Sequence, residues 1–155
     1  MGQGLMPAFS LRRGMTVAID TPAFIYLLER HPDFGPAARE LFAEIESGHV
    51  RACASMLVLT ELTVPAFRKG EGELAHKAAR YIEDYPNLRL MAVDMSVALS
   101  AARLRASHGL RTPDAIHAAT ALCAGAEAFI TNDRRLKRLE KAGLLHVLLF
   151  GGENA

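Results

Sequence analysis

Residues 15–28 read MTVAIDTPAFIYLL. Residues 16–19 are a short β-branched and apolar run that stops at Asp20, the signature of a buried strand. Thr21 and Pro22 then offer a capping hydroxyl and a proline at the first helical position. Phe24, Ile25, Leu27 and Leu28 give the helix its apolar face. A strand, an acid and a helix thus follow one another directly.

The same alternation continues outward. Residues 37–47 form an amphipathic helix through Ala38, Leu41, Phe42 and Ile45, closed by Gly48. A strand over 50–54 follows. Ser55 can cap a helix through Leu57, Leu59, Leu62 and Val64 that fades near Pro65. Gly70 and Gly72 flank a turn before a helix over 73–85, ended by Pro86, and a strand over 88–93. Asp94 or Ser96 caps a helix through Leu99 and Leu104 to Gly109. Thr112 and Pro113 repeat the hydroxyl-then-proline start, and that helix runs to Cys123 with Gly125 as its stop. A strand over 129–131, a short helix over 134–142 closed by Gly143 and a strand over 145–149 complete the chain. Short apolar strands alternating with helices imply a three-layer α/β/α domain around a central, mainly parallel sheet of four to five strands. It spans 15–150, between an N-terminal extension over 1–14, disordered or foreign to the domain, and a short C-terminal tail over 151–155.

The whole chain has 155 residues, half of them hydrophobic and 23% charged, enough to bury a core in one domain. Its 18 basic and 17 acidic side chains exclude nucleic-acid binding by gross charge alone. The charge is uneven: residues 1–100 carry 10 basic and 12 acidic side chains, residues 101–155 carry 8 and 5. A polyanion would meet the second part. Cys53 and Cys123 both sit in apolar stretches and read as small core residues, which excludes a disulfide scaffold and a Cys-rich zinc site. No apolar run reaches 18 residues, and residues 1–14 do not read as a signal peptide.

The acids off the solvent-facing helix stripes carry the chemistry. Asp20 ends the first strand, and Asp133 follows the fourth with Asn132 before it. In open parallel sheets, ligands sit beyond the carboxyl ends of the strands. Asp114, in the first turn of its helix, starts at that same edge if the crossover is right-handed. Glu61 lies among leucines, where an acid must face something polar. Each has an ordinary reading as well: cap, turn residue, dipole partner or snorkelling side chain. At about 6 Å and an effective dielectric of about 20, each ionised pair costs roughly 3 kcal/mol. Such a cluster needs held protons or a divalent cation, and oxygen-only ligands select Mg²⁺ or Mn²⁺. The chemistry then expected is phosphodiester hydrolysis by ion-activated water.

The stretches VAIDT (17–21), LTEL (59–62), LRTPDAIHAATAL (110–122) and FITND (129–133) resemble the PIN-domain family, and within it the VapC-type toxin ribonucleases. The resemblance implies a Mg²⁺-dependent single-strand endoribonuclease, with Mn²⁺ able to substitute. Its catalytic and metal-holding residues would be Asp20, Glu61, Asp114 and Asp133, supported by Thr131. It also implies a homodimer and a small cognate antitoxin, in the cytoplasm. Pro22 departs from the small polar residue common two places after the first acid. Arg134–Arg135–Leu136 lacks the additional acid of some relatives, which weakens the case for a second metal ion.

His117 lies three residues after Asp114 on the same helix face, as a partner of the acids, a proton shuttle or a packed core histidine. Arg134, Arg135, Lys137, Arg138 and Lys141 crowd the segment after Asp133, either tracking phosphates or facing solvent, and Arg111 is a similar candidate. Two other readings stand beside the toxin: a PIN nuclease of RNA processing or decay without an antitoxin, and a catalytically inactive RNA- or protein-binding module.

Overall fold

The computed structural model describes residues 8–152. Residues 1–7 of the expected extension and 153–155 of the expected tail lie outside the described residues. Five strands, β1 (Thr16–Ile19), β2 (Arg51–Ser55), β3 (Leu88–Met91), β4 (Ala128–Thr131) and β5 (Val147–Leu149), form one sheet in the order β3-β2-β1-β4-β5. All four pairings are parallel. They are joined through α1 (Thr21–Leu28), α2 (Gly35–Glu46), α3 (Leu57–Arg68), α4 (Gly72–Glu83), α5 (Met95–His108), α6 (Thr112–Cys123) and α7 (Lys137–Lys141), with a 3₁₀ turn at Arg134–Leu136 before α7.

Side-chain alternation along the strands sorts them into two cores. Val17, Ile19, Ala52, Ala54, Ala128 and Ile130 pack on the α1, α2 and α4 side, with Val58 of α3. Ala18, Cys53, Phe129 and Val147 pack on the α5, α6 and α7 side. Strands apolar on both faces belong to a sheet covered on both faces, and three α/β/α layers result. Phe24 and Phe42 meet edge-on at 5.2 Å in the first core; each buried ring contributes about 1.5–3 kcal/mol. Phe9 and Leu11, before β1, join that core, with Phe9 edge-on to Phe150 at 5.1 Å.

Several local expectations are corrected. Thr21 is not a helix cap: Asp20 occupies the cap in an extended conformation and its Oδ1 accepts the Thr21 N–H at 2.8 Å. In α6, Arg111 takes the cap position without a side-chain bond, and Thr112 is the first helical residue. Pro65 does not end α3, which runs three residues further. Proline there forfeits the bond to the Glu61 carbonyl; α4 packs back on that last turn, with His76 edge-on to Phe67 at 5.8 Å. Cys123 is exposed at the end of α6, whereas Cys53 is buried in β2.

Candidate active site

Register builds the centre of the site. Ile19 of β1 stands beside Ile130 of β4, so the next residues, Asp20 and Thr131, emerge level at the carboxyl edge. The Asp20 N–H continues the ladder to the Ile130 carbonyl at 2.9 Å. Thr131 Oγ1 donates to Asp20 Oδ2 at 2.7 Å and accepts the Asp133 N–H at 3.1 Å. One buried hydroxyl therefore ties two of the expected acids together. Asn132, between them, donates to the Tyr26 hydroxyl at 2.7 Å and so holds the β4 end to α1.

Two helices bring the other acids. α3 delivers Glu61; α6 delivers Asp114 in its first turn, where the helix dipole favours a negative charge, and His117 a turn later. His117 Nε2 lies against Glu61 Oε1 and 3.8 Å from Asp20 Oδ1. Thr21 Oγ1 donates to Glu61 Oε1 at 3.0 Å and sits 3.3 Å from the same imidazole nitrogen. The other ring nitrogen, Nδ1, is buried without a partner among the described residues. Of the three readings of His117, the structure thus favours a partner of the acids: it is hydrogen-bonded to Glu61, with Asp20 within ion-pair distance.

The remaining two acids meet arginines. Arg111 Nε donates to Asp114 Oδ2 at 3.2 Å. Arg135 grips Asp133 with Nε, 3.0 Å from Oδ1 and 3.1 Å from Oδ2, and with Nη2 at 2.7 Å from Oδ2. Arg138 turns elsewhere: its Nε donates to the Arg135 carbonyl at 2.9 Å and its Nη1 to the His108 carbonyl at 2.8 Å, stapling the segment before α7 to the end of α5. Arg134 is exposed, and Lys137 pairs with Glu140 at 2.7 Å.

Charge follows these contacts. Burial pushes the Asp20 carboxyl up, against the pull of His117 and the Thr131 hydroxyl. The His117 bond holds Glu61 below the usual carboxylate range. Burial alone would lower His117, but its bond to Glu61 and the charges of Asp20, Glu61 and Asp114 together raise it. Arg135 holds Asp133 down. The expected mutual repulsion is thus answered within the chain: Glu61 by imidazole, Asp114 and Asp133 by guanidinium, Asp20 by the nearby His117 and by neutral donors.

Carboxylate oxygen is the donor that a small hard dication takes, and in kind Asp20, Asp114 and Glu61 fit Mg²⁺ or Mn²⁺. As the side chains stand, no three His, Cys, Asp or Glu among the described residues gather closely enough to hold an ion. Beside the site, α1, α3 and α4 border an apolar groove of about 450 Å³ lined by Ile25, Leu28, Leu62, Leu74 and Tyr81, with Glu61 at its margin. Leu28, Leu74 and Tyr81 are exposed.

Thr21 and Tyr26 are the site residues that sequence reasoning missed. The signal for Thr21 was a hydroxyl directly after a strand-ending acid, which equally suits a cap. Nothing local marked Tyr26.

A five-stranded parallel sheet with acids gathered at its carboxyl edge defines an α/β domain with an acidic candidate site. The PIN-domain family model matches residues 17–142, and the chain belongs to that family. Comparison with the curated proteins finds no match to this chain. Among solved structures, it is similar to VapBC2 from Rickettsia felis bound to a promoter DNA fragment (20% identity, TM-score 0.64, 86% of this chain and 97% of that one). It is also similar to DNA-bound VapBC from Salmonella typhimurium (19%, 0.63, 88% and 98%). A third similar structure is FitAcB from Neisseria gonorrhoeae (21%, 0.63, 87% and 98%). At these identities the likeness is one of fold. No helix among the described residues is long and apolar enough to cross a membrane.

Proposed function

We propose that this PIN domain is a VapC-type toxin, a Mg²⁺-dependent endoribonuclease that cuts single-stranded RNA in the cytoplasm and is restrained by a small antitoxin. The observation that carries the reading is the linked group Asp20–Thr131–Asp133 and Asp20–His117–Glu61 at the carboxyl edge of the sheet. A dication would be held by Asp20 and Asp114 with Glu61 beside them. When bound, it supplies positive charge against the phosphate and eases deprotonation of water.

The chain's own residues do the rest. Thr131 fixes one Asp20 oxygen and the Thr21 N–H the other, so that carboxylate does not reorient as charge changes around it. Glu61 Oε1 is occupied by Thr21 and His117, which leaves Oε2 to accept a hydrogen bond, and then a proton, from the attacking water. Arg111, beside Asp114, and Arg134 give the RNA backbone cationic contacts at the same edge. The groove between α1, α3 and α4 suits an apolar antitoxin segment, whose seating beside Glu61 would cover the site. Two copies of the chain would form the toxin dimer.

The test is cleavage of structured and unstructured RNAs by the purified chain. Scission in Mg²⁺, abolished by EDTA and restored by Mn²⁺, is expected. A folded protein that cuts no RNA under these conditions refutes the reading and leaves the binding-module alternative. Leu74→Glu should release inhibition by a cognate small protein while leaving cleavage intact.

A further inference from the structure

The four acids are not equivalent, and Asp133 stands apart. Asp20 meets neutral hydrogen-bond donors, with the His117 nitrogen further off at 3.8 Å. Asp114 meets one N–H from a largely exposed arginine, at Oδ2, and among the described residues its Oδ1 carries no bond. Asp133 is saturated. Oδ1 takes the Arg135 backbone N–H at 2.9 Å and Arg135 Nε at 3.0 Å; Oδ2 takes Nε at 3.1 Å and Nη2 at 2.7 Å. The backbone bond caps the 3₁₀ turn, and Leu136, buried in the second core, fixes that turn in place. The guanidinium is thus seated by a fork-on-carboxylate pair, the most directional ion pair available to a protein.

We propose that Asp133 is a seat for Arg135 rather than a ligand of the divalent cation, and that Arg135 is the phosphate clamp of the site. This rests on the ribonuclease reading above. The Arg135 side chain is 57% exposed while that of Asp133 is 23% exposed. The seat is sheltered and the cation it holds faces outward. Among the described residues Arg135 Nη1 has no partner, so its N–H groups can meet a phosphate oxygen while Nε and Nη2 stay on Asp133. A dication at Asp133 would have to displace this chelate and the turn cap together. Arg135 instead provides a resident positive charge at the same edge, close enough to Asp114 to feel its charge. Asp133 is then a positioning residue: it acts on RNA through Arg135.

The experiment measures two bindings on the purified full chain: Mn²⁺ by calorimetry, and a labelled single-stranded oligouridylate in Ca²⁺ across a salt series. Asp133→Asn keeps a capping oxygen, so the turn survives; far-UV circular dichroism checks this. Asp133→Asn and Arg135→Gln are expected to leave the Mn²⁺ affinity within about threefold of the parent, while Asp114→Asn lowers it by about tenfold or more. Arg135→Gln should weaken RNA binding by about tenfold and reduce the salt slope by about one. Asp133→Asn should weaken RNA binding in the same direction with the slope unchanged, because the charge remains but its seat is lost. Arg135→Lys should restore the slope but only part of the affinity, since an ammonium cannot span both carboxylate oxygens and still reach outward. Loss of Mn²⁺ in Asp133→Asn comparable to that in Asp114→Asn overturns the proposal and leaves the ribonuclease reading standing. Parental RNA affinity in Arg135→Gln also overturns it. A parent chain that binds no Mn²⁺ overturns both.

Discussion

Thr131→Val tests the centre of the site with a change of almost constant volume. The Thr131 hydroxyl is buried and does two things: it donates to Asp20 Oδ2 at 2.7 Å and accepts the Asp133 N–H at 3.1 Å. A bond to an ionised buried carboxylate is worth about 1.5–3 kcal/mol, and an orphaned backbone N–H costs about 1 kcal/mol more. The added methyl group of valine offsets about 0.8 kcal/mol. The net loss is about 2–3 kcal/mol, which for a domain of this length lowers Tm by about 5–10 °C. The loss should depend on charge. Burial raises the Asp20 pKa above its unfolded value, so ionisation of Asp20 costs stability as pH rises through that raised value. Without the hydroxyl that cost grows, and the Tm gap between parent and variant should widen from acid to neutral pH. Against an Asp20→Asn background, Thr131→Val should cost only about 1 kcal/mol. Thr131→Ser keeps the hydroxyl and should lose only the packing of one methyl group. Thermal melts at pH 4.5 and pH 7.5 decide it. A Thr131→Val protein melting within about 1 °C of the parent at both pH values, or a serine variant as damaged as valine, would refute the reasoning.

Asp114→Asn should reduce RNA cleavage by about 100-fold or more with an unchanged circular dichroism spectrum; sequencing of RNA ends after induction reads the loss directly. Burial holds the Cys53 thiol up at about 11. A disulfide reagent should therefore titrate one thiol in the native protein, exposed Cys123, and the second only after unfolding. Glu140, held below its usual range chiefly by Lys137 and also by His146 and the Val147 N–H, adds stability above the unfolded glutamate range that disappears as pH falls through its lowered value. Glu140→Gln should cost about 0.5 kcal/mol at pH 7, given its partial exposure, and progressively less as pH falls through that lowered value; melts from neutral to acid pH measure it.

The sheet was legible because its strands carry apolar side chains on both faces and end on acids or glycine-marked turns. Boundaries moved where local chemistry had two outlets. Pro65 argued for a helix end that packing against α4 overrides, and the Thr21 hydroxyl argued for a cap that Asp20 supplies. β5 starts two residues later than expected: its pairing with β4 begins at Val147, and Leu145 is buried in the second core ahead of the ladder. The shared edge of Asp20, Asp114 and Asp133 was implied by the topology rule for parallel sheets, whereas the pairing of Glu61 with His117 was not. Which cation answers which acid is set by register and rotamer: the level emergence of Asp20 and Thr131, and the tight turn that folds Arg135 back on Asp133. Neither leaves a mark in composition or spacing. Cys123 sat in an apolar stretch, yet lies in the last turn of α6, where the helix has cleared the core.

α6 floors itself on the sheet almost wholly with alanine: Ala115, Ala118, Ala119 and Ala121 are all fully buried. Side chains this short act as shims, letting the helix axis ride low over the strands. Any bulkier replacement would jack the helix upward in an interior with no slack, and Asp114 and His117 would travel with it. Ala118→Val would thus detune chemistry one turn away without touching a reacting group. The tolerance of the site is machined by methyl groups.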